Sequence, residues 1–131
     1  MGEAEKTEKI TINLGLVDLG QIDLLVQEGF YADRTDLIRT AVRNQLATAA
    51  TAVDQTVARR TLVLGTAHYT RRELEEARAA GRMVQIRVLG LVTIADDVTP
   101  ELALATIESV EVLGALRASR AVKAALAPRT V

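Results

Sequence analysis

Three polar side chains occupy alternate positions near the start of this 131-residue chain, at Lys9, Thr11 and Asn13. Each can form contacts that distinguish one base pair from another: lysine donates to guanine O6 and N7, asparagine pairs with adenine, and threonine offers a hydroxyl or a methyl group. Three such groups on one face could therefore contact base edges. Taken alone, an alternating row of polar residues is more often the solvated face of a strand.

The same alternation defines the element that carries these side chains. Ile10, Ile12 and Leu14 point to the opposite side, which is the pattern of a strand with one apolar face. Two helical patterns follow it directly, with apolar stripes at Leu19, Ile22, Leu25 and Val26, then Leu37, Ile38, Ala41, Val42 and Leu46. No second strand lies nearby, and an isolated strand leaves its backbone groups unpaired. The sequence therefore predicts pairing with the same strand of a second copy.

Two copies pairing antiparallel would form a two-stranded ribbon that fits the DNA major groove. At this point the chain resembles the ribbon-helix-helix family of DNA-binding proteins, the CopG, Arc and MetJ type. The resemblance covers roughly the first third of the chain and is carried by the strand at 9–14, the break at 28–30 and the start of the second helix at 33–39.

The resemblance implies roles for individual residues. Lys9, Thr11 and Asn13 would read base edges, while Arg34 and the backbone near Thr35 would hold a phosphate. Lys6 could add a phosphate contact from an N-terminal arm, although it could equally be a solvated lysine. The resemblance also implies an obligate homodimer, whose core would contain Ile10, Ile12, Leu14, Ile38 and Val42.

The start of the second helix supports the phosphate role independently. Asp33 is a plausible N-cap and Asp36 occupies the third helical position. This arrangement leaves neighbouring amide donors and the positive end of a helix available to an anion.

The placement of charge matters more than its sum. The chain has a net charge of −1, and acidic residues outnumber basic ones in the first sixty residues. This balance excludes a generic nucleic-acid coat, because non-specific affinity comes mainly from neutralised phosphates. We expect a local positive face on the ribbon, carried by Lys6, Lys9 and Arg34. The acidic residues of the first helix are expected on the far side: Asp18, Asp23 and Glu28.

The composition also excludes several kinds of site. With no cysteine and one histidine, the chain has no disulfide scaffold and little with which to build a metal site. No apolar run reaches the ~18 residues that a membrane span needs, so we expect a soluble, cytoplasmic, nucleoid-associated protein. There is no nucleophile elbow, phosphate-binding glycine loop or histidine–acid pair. We therefore expect no enzymatic activity, no cofactor and no metal.

The second half of the chain contains a repeat. The tripeptide Val-Leu-Gly occurs at 63–65, 88–90 and 112–114, at spacings of 25 and 24 residues. A helix start follows each copy, at Thr70, at Thr99 and at Ser119. A unit of strand, glycine bend, short strand and helix at this period indicates a β/α solenoid, similar in length to leucine-rich repeats but without their asparagine ladder. The alternative is a chance recurrence in an aliphatic chain.

These patterns divide the chain into five segments. A flexible tail at 1–7 precedes a ribbon-helix-helix domain at 8–46, a partly helical connector at 47–60, a β/α repeat domain at 61–127 and a tail at 128–131. The predicted fold class is α+β, with an N-terminal ribbon-helix-helix dimer, a connector and a short three-coil β/α solenoid-like domain.

The repeat domain is predicted to drive further assembly. Its last coil, at 110–126, is as apolar as the middle one, and open strand edges tend to pair with another copy. A ligand-sensing domain is the alternative, although no pocket motif supports it.

The resulting hypothesis is a homodimeric, sequence-specific regulator that binds double-stranded DNA, represses transcription, including that of its own operon, and assembles further through its repeat. Two alternatives remain: a polymerising scaffold of a segregation or nucleoid complex, and an antitoxin.

Overall fold

Residues 7–131 are described by the structure, which is a computed structural model. Residues 1–6, which include Lys6 and most of the predicted tail, lie outside the described residues. The described chain separates into two compact units, residues 7–56 and residues 57–131. It combines α-helices with one β-sheet, in agreement with the predicted mixed class.

The first unit is helical. A segment at 7–15 belongs to no helix and to no strand of the sheet, and helix α1 (Leu16–Gln27) follows it. Helix α2 (Arg34–Thr48) packs against α1, and helix α3 (Ala50–Arg60) begins in this unit. The predicted strand at 9–14 therefore has no strand partner within residues 7–131, and a ribbon could form only between copies.

The connector is more helical than its threonines suggest, since only Ala49 separates α2 from α3. The hydroxyls of Thr48 and Thr56 donate to the carbonyl oxygens of residues one turn earlier, at 3.1 and 2.8 Å. These bonds satisfy the hydroxyl groups within the helix, so threonine remains helical here despite its low propensity.

The second unit is built around a parallel sheet. Its elements alternate along the chain: β1 (Val63–Tyr69), α4 (Arg71–Ala79), β2 (Val84–Ile94), α5 (Pro100–Thr106), β3 (Ile107–Arg117), α6 (Arg120–Leu126) and a 3-10 turn (Ala127–Arg129). The strand order is β1-β2-β3, and both pairings are parallel. Parallel neighbours need a crossover, and helices α4 and α5 provide the two crossovers.

The helix starts predicted in this unit are confirmed. The side chains of Thr70, Thr99 and Ser119 each accept a hydrogen bond from the amide three residues further on. Pro100 occupies the first turn of α5, where a missing amide proton costs nothing. Each cap satisfies a donor that helix geometry would otherwise leave without an acceptor.

The three Val-Leu-Gly tripeptides lie side by side in the sheet. Val63 is opposite Val88 and Val88 is opposite Val112, so the sequence spacings of 25 and 24 residues are also the strand register. His68 is opposite Thr93, which lies 25 residues further along the chain, the same spacing as between the first two tripeptides.

The glycines do not divide the strands, and the predicted unit of strand, bend and short strand is wrong in this respect. Gly65, Gly90 and Gly114 have φ values of 130°, 143° and 120°, which favour glycine. Because the three glycines stack in register, pairing continues on both sides of each, and β2 and β3 remain single strands of 11 residues. A Cβ on Gly90 or Gly114 would overlap the glycine carbonyl oxygen of the preceding strand.

Every buried side chain of residues 7–131 belongs to the second unit. Alternate residues of β2 enter its core: Ile86, Val88, Val92 and Ile94. They join buried residues of the three helices and of β3: Leu74, Leu102, Ala103, Ile107, Val110, Val122 and Leu126. The intervening residues of β2 stay at least partly exposed. The sheet therefore buries one face against the helices.

Candidate nucleic-acid interface

The side chains predicted to contact bases are exposed. Lys9, Thr11 and Asn13 all lie in the segment before α1, and none is covered by the rest of the described chain. The apolar residues between them are also open: Ile10 is 80% exposed, Ile12 57% and Leu14 40%. Both faces of the segment are thus accessible in the single chain.

Ile10 lies at a groove of about 560 Å³ formed with helix α2. Ile38 and Val42 line the same groove, so the structure brings together three of the five residues predicted for the dimer core. Lys9 and Thr35 line it too, which places one predicted base reader close to one predicted phosphate contact.

Two arginines that were not predicted as site residues belong to this groove. Arg39 and Arg43 lie one turn apart on α2 and line the groove together with Lys9, and Glu8 is the one acidic side chain in its lining. Three cations against one anion make this surface locally positive, although the whole chain carries a net charge of −1. Their spacing of four residues, which places both on one helix face, was the available signal.

The start of α2 is capped as predicted. The Asp36 amide donates to the Asp33 side chain at 2.7 Å, and the Ala32 amide donates to the Asp36 side chain at 2.9 Å. Of the donors in the first turn, those of Arg34 and Thr35 still have no acceptor within the helix, because intrahelical bonds begin four residues from the cap. They remain suited to an anion.

Arg34 is paired with an acid in this structure. Its Nε donates to Asp23 Oδ1 at 2.7 Å and its Nη2 donates to Oδ2 at 2.8 Å. The hydrogen bond from Arg34 lowers the pKa of the Asp23 carboxyl. The expectation that Asp23 lies on the far side is wrong, because packing of α1 against α2 brings this carboxylate to the start of α2. A phosphate would have to compete with Asp23 for Arg34.

Other kinds of site find little support among residues 7–131. No cluster of three or more histidine, cysteine or acidic residues there could hold a metal ion. Over the same residues, no helix combines the length and the apolar character that crossing a membrane requires.

Comparison with known families decides what this arrangement belongs to. The Ribbon-Helix-Helix transcriptional regulator family matches residues 5–123. The chain belongs to this family. Ribbon-helix-helix regulators bind DNA and dimerise. No curated protein and no solved structure matches the chain.

The family match is wider than the resemblance seen in the sequence. The resemblance covered roughly the first third of the chain, whereas the match continues through the parallel sheet and into α6. The repeat in the second unit is therefore part of this ribbon-helix-helix regulator family and not an unrelated addition.

Proposed function

We propose that this ribbon-helix-helix regulator is a sequence-specific repressor, including of its own operon, that acts as an obligate homodimer. In the dimer, the segments at 9–14 of two copies pair antiparallel. Lys9, Thr11 and Asn13 read base edges in the major groove, and Arg34 with the amides near Thr35 holds a phosphate. The dimers assemble further through the second unit.

The observation that carries this proposal is that the first unit buries no side chain by itself. Every residue from 7 to 56 is at least partly exposed, although α1 and α2 both carry apolar stripes. Ordering a chain costs conformational entropy that buried apolar surface must offset. The unit therefore needs a cover, and a second copy supplies one because a two-fold interface presents the same apolar surface from both sides.

The alternation of side chains along the segment at 9–14 links dimerisation to the reading of DNA. If Ile10, Ile12 and Leu14 face the helices of the dimer, their neighbours must face outward, because successive side chains of a strand point to opposite sides. The polar row at 9, 11 and 13 is thus presented to solvent, where a groove of DNA can receive it.

The charge distribution favours a specific complex over a general one. Lys9, Arg39 and Arg43 concentrate positive charge at the groove beside the start of α2. The rest of the first unit is acidic, so few phosphates could be neutralised away from this surface. Binding strength must then come largely from contacts to a particular site.

The test is fluorescence anisotropy on double-stranded DNA from the upstream region of the protein's own gene and on a scrambled version, at two salt concentrations. The variant Lys9→Ala/Thr11→Ala/Asn13→Ala removes the predicted readers. The matched control Thr51→Ala/Gln55→Ala/Lys123→Ala removes one positive charge and two polar groups from exposed positions elsewhere.

We expect wild type and control to prefer the upstream DNA by about a thousandfold or more, which is the lower range for specific binding. The reader variant should lose that preference and keep the salt-dependent affinity that it has for either DNA. Equal, weak binding of wild type and reader variant to both DNAs would overturn the proposal and leave the ribbon as a dimerisation device alone.

A second candidate function is a polymerising scaffold of a segregation or nucleoid complex. The favouring observation is that, among the described residues, the sheet of the second unit is open at β1 and, apart from a bridge at Val110, also at β3. A reporter gene controlled by the upstream region separates the two functions when wild type is compared with a variant whose second unit cannot associate. A repressor still represses when the second unit cannot associate, whereas a scaffold loses its activity.

The extensive core of the second unit disfavours the antitoxin alternative, since antitoxin tails are usually disordered until bound.

A further inference from the structure

The second unit uses one strand-pairing interface twice. β1 pairs with β2, and β2 pairs with β3, in each case with Val-Leu-Gly opposite Val-Leu-Gly. Because the order is β1-β2-β3, the outer edges of β1 and β3 have no strand beside them over the tripeptides in the described chain. The open edge of β3 corresponds to the edge of β1 or β2 that pairs with the next strand, and the open edge of β1 corresponds to the edge of β2 or β3 that pairs with the preceding one.

The stacked glycines show that the two edges are complementary. Gly90 approaches the Gly65 carbonyl oxygen so closely that no Cβ would fit, and Gly114 approaches the Gly90 oxygen in the same way. Gly65 begins this ladder, and nothing lies within 4 Å of the position its Cβ would take. The Gly114 oxygen of one copy, placed against Gly65 of the next, would repeat the internal contact a third time.

The edge of β3 already accepts a parallel segment. Thr130 forms a parallel bridge with Val110, and the Val131 amide donates to the Val110 carbonyl oxygen at 2.9 Å. The Arg129 side chain anchors this segment by donating to two backbone carbonyl oxygens at 2.7 Å. The segment occupies the edge only at Val110, before the Val-Leu-Gly tripeptide of β3.

A leucine row crosses the sheet in the same register. Leu64 is opposite Leu89, and Leu89 is opposite Leu113. Leu64 is 64% exposed and Leu113 is 43% exposed, because each has a strand on one side only. Pairing the two edges would place Leu113 of one copy beside Leu64 of the next and cover both.

We propose that the β3 edge of one copy pairs in parallel with the β1 edge of the next, with Val112 opposite Val63 and Gly114 opposite Gly65. This inference rests on the proposed function, because it names the contact through which dimers assemble further. The two edges differ, so the contact is heterologous and extends as an open array unless its rotation closes a ring.

The test replaces the leucines that would meet between copies. In Leu64→Lys/Leu113→Lys, two like charges would lie side by side at each contact, whereas inside one copy strand β2 separates them. In Leu64→Lys/Leu113→Glu, the same positions would hold opposite charges. Leu89→Lys is the matched control, because its strand is central and has no open edge.

Sedimentation velocity without DNA, over a wide range of protein concentration, measures the outcome. We expect wild type to form a series of masses above the dimer of the 14.1-kDa chain. The Lys/Lys variant should need at least about tenfold more protein to reach the same assembly, since directly opposed like charges destabilise strand pairs. The Lys/Glu variant should recover, and Leu89→Lys should assemble like wild type. Circular dichroism verifies that each variant is folded.

Two outcomes would overturn the inference. Wild type that never exceeds a dimer has no edge contact between dimers. Loss of assembly in Leu89→Lys, without recovery in the Lys/Glu variant, would show that copies associate through the sheet face. Failure of the ribbon dimer gives a different result: with edge pairing intact and no ribbon, the wild-type series contains odd as well as even multiples of the chain mass.

Discussion

The two units of this chain differ in how they treat their own apolar residues. The second unit buries side chains of α4, β2, α5, β3 and α6, including Leu74, Ile86 and Leu102. The first unit also has apolar stripes, and it buries none of them. Both units contain well-capped helices, for example at Asp33 and at Thr99. Good local signals therefore form helices in both, but only the second unit has enough chain to cover them.

The comparison also shows two ways to pair a strand. In the second unit, three copies of one tripeptide pair with each other inside a single chain. In the first unit, the one strand pattern has no counterpart among residues 7–131, and the partner that we propose for it is the same segment of another copy. Because the repeat supplies three strands, the sheet forms within one chain. Because the first unit has a single strand pattern, the proposed ribbon needs two chains.

The largest expected effect comes from a charge in the proposed dimer core. Ile38→Asp should abolish the dimer and lower affinity for upstream DNA by about a thousandfold or more, because specific binding needs both ribbon strands. The second unit should keep its sheet, as judged by circular dichroism. Thr51→Asp adds the same charge at an exposed position and should change neither property. A stable Ile38→Asp dimer in sedimentation would contradict the proposed interface.

Replacing one glycine by alanine in each unit should change the free energy of unfolding in opposite directions. Gly90→Ala should lower the free energy of unfolding by about 3 kcal/mol or more, because its Cβ would overlap the Gly65 carbonyl oxygen. Gly20 lies within α1 with nothing within 4 Å, so Gly20→Ala should stabilise that helix by about 0.5–1 kcal/mol.

Denaturant unfolding, with hydrogen exchange to separate the units, measures both glycine variants. Loss of the dimer in Gly20→Ala would show that the second copy approaches α1 closely at this position. Tolerance of Gly90→Ala would contradict the close stacking of the strands.

A smaller effect is expected at the Asp23–Arg34 pair. Asp23→Asn should raise affinity for any DNA about two- to fivefold at low salt, because an exposed ion pair competes only weakly for the arginine that would hold a phosphate. Arg34→Ala should reduce the slope of log affinity against log salt by about one for each chain bound. The double variant should behave like Arg34→Ala. Weaker binding by Asp23→Asn would instead make Asp23 a residue that positions Arg34.

The smallest effect concerns the acid sensitivity of the second unit. A hydrogen bond from Arg60 lowers the pKa of the Glu111 carboxyl, and the charges of Arg60 and Arg87 act in the same direction. Because the folded-state pKa is lowered, the stabilisation is present above 4.5, the ordinary value for glutamate, and is lost as pH falls through the lowered pKa. Glu111→Gln should therefore be less stable at neutral pH and lose less stability on acidification.

Thermal melting between neutral pH and acid pH measures the Glu111 effect. Glu101→Gln, at an exposed position of α5, is the control and should follow wild type. Identical pH profiles for Glu111→Gln and wild type would show that the arginines do not stabilise the folded state through this carboxylate.

Local features could be predicted where neighbouring residues determine them. The caps at Asp33, Thr70, Thr99 and Ser119 depend on a side chain and an amide three residues apart, so the sequence is sufficient. The strand register was also predictable, because each repeat copy shows where the next one must lie.

The errors share a different cause. The unbroken strands at Gly90 and Gly114 depend on the backbone of a neighbouring strand, and the Asp23–Arg34 pair depends on how α1 packs against α2. The contribution of Arg39 and Arg43 to the groove likewise needs the position of the segment before α1. None of these contacts is between neighbours in sequence.

The sequence by itself determined the family resemblance, the helix starts, the repeat period and the alternating polar row, since each depends on residue type at short or regular spacing. Only the tertiary structure decided which side chains are buried, that the glycines stack without ending a strand, and that Arg34 already has an acidic partner. The physical reason is that burial and ion pairing depend on distances through space, which spacing along the chain does not specify.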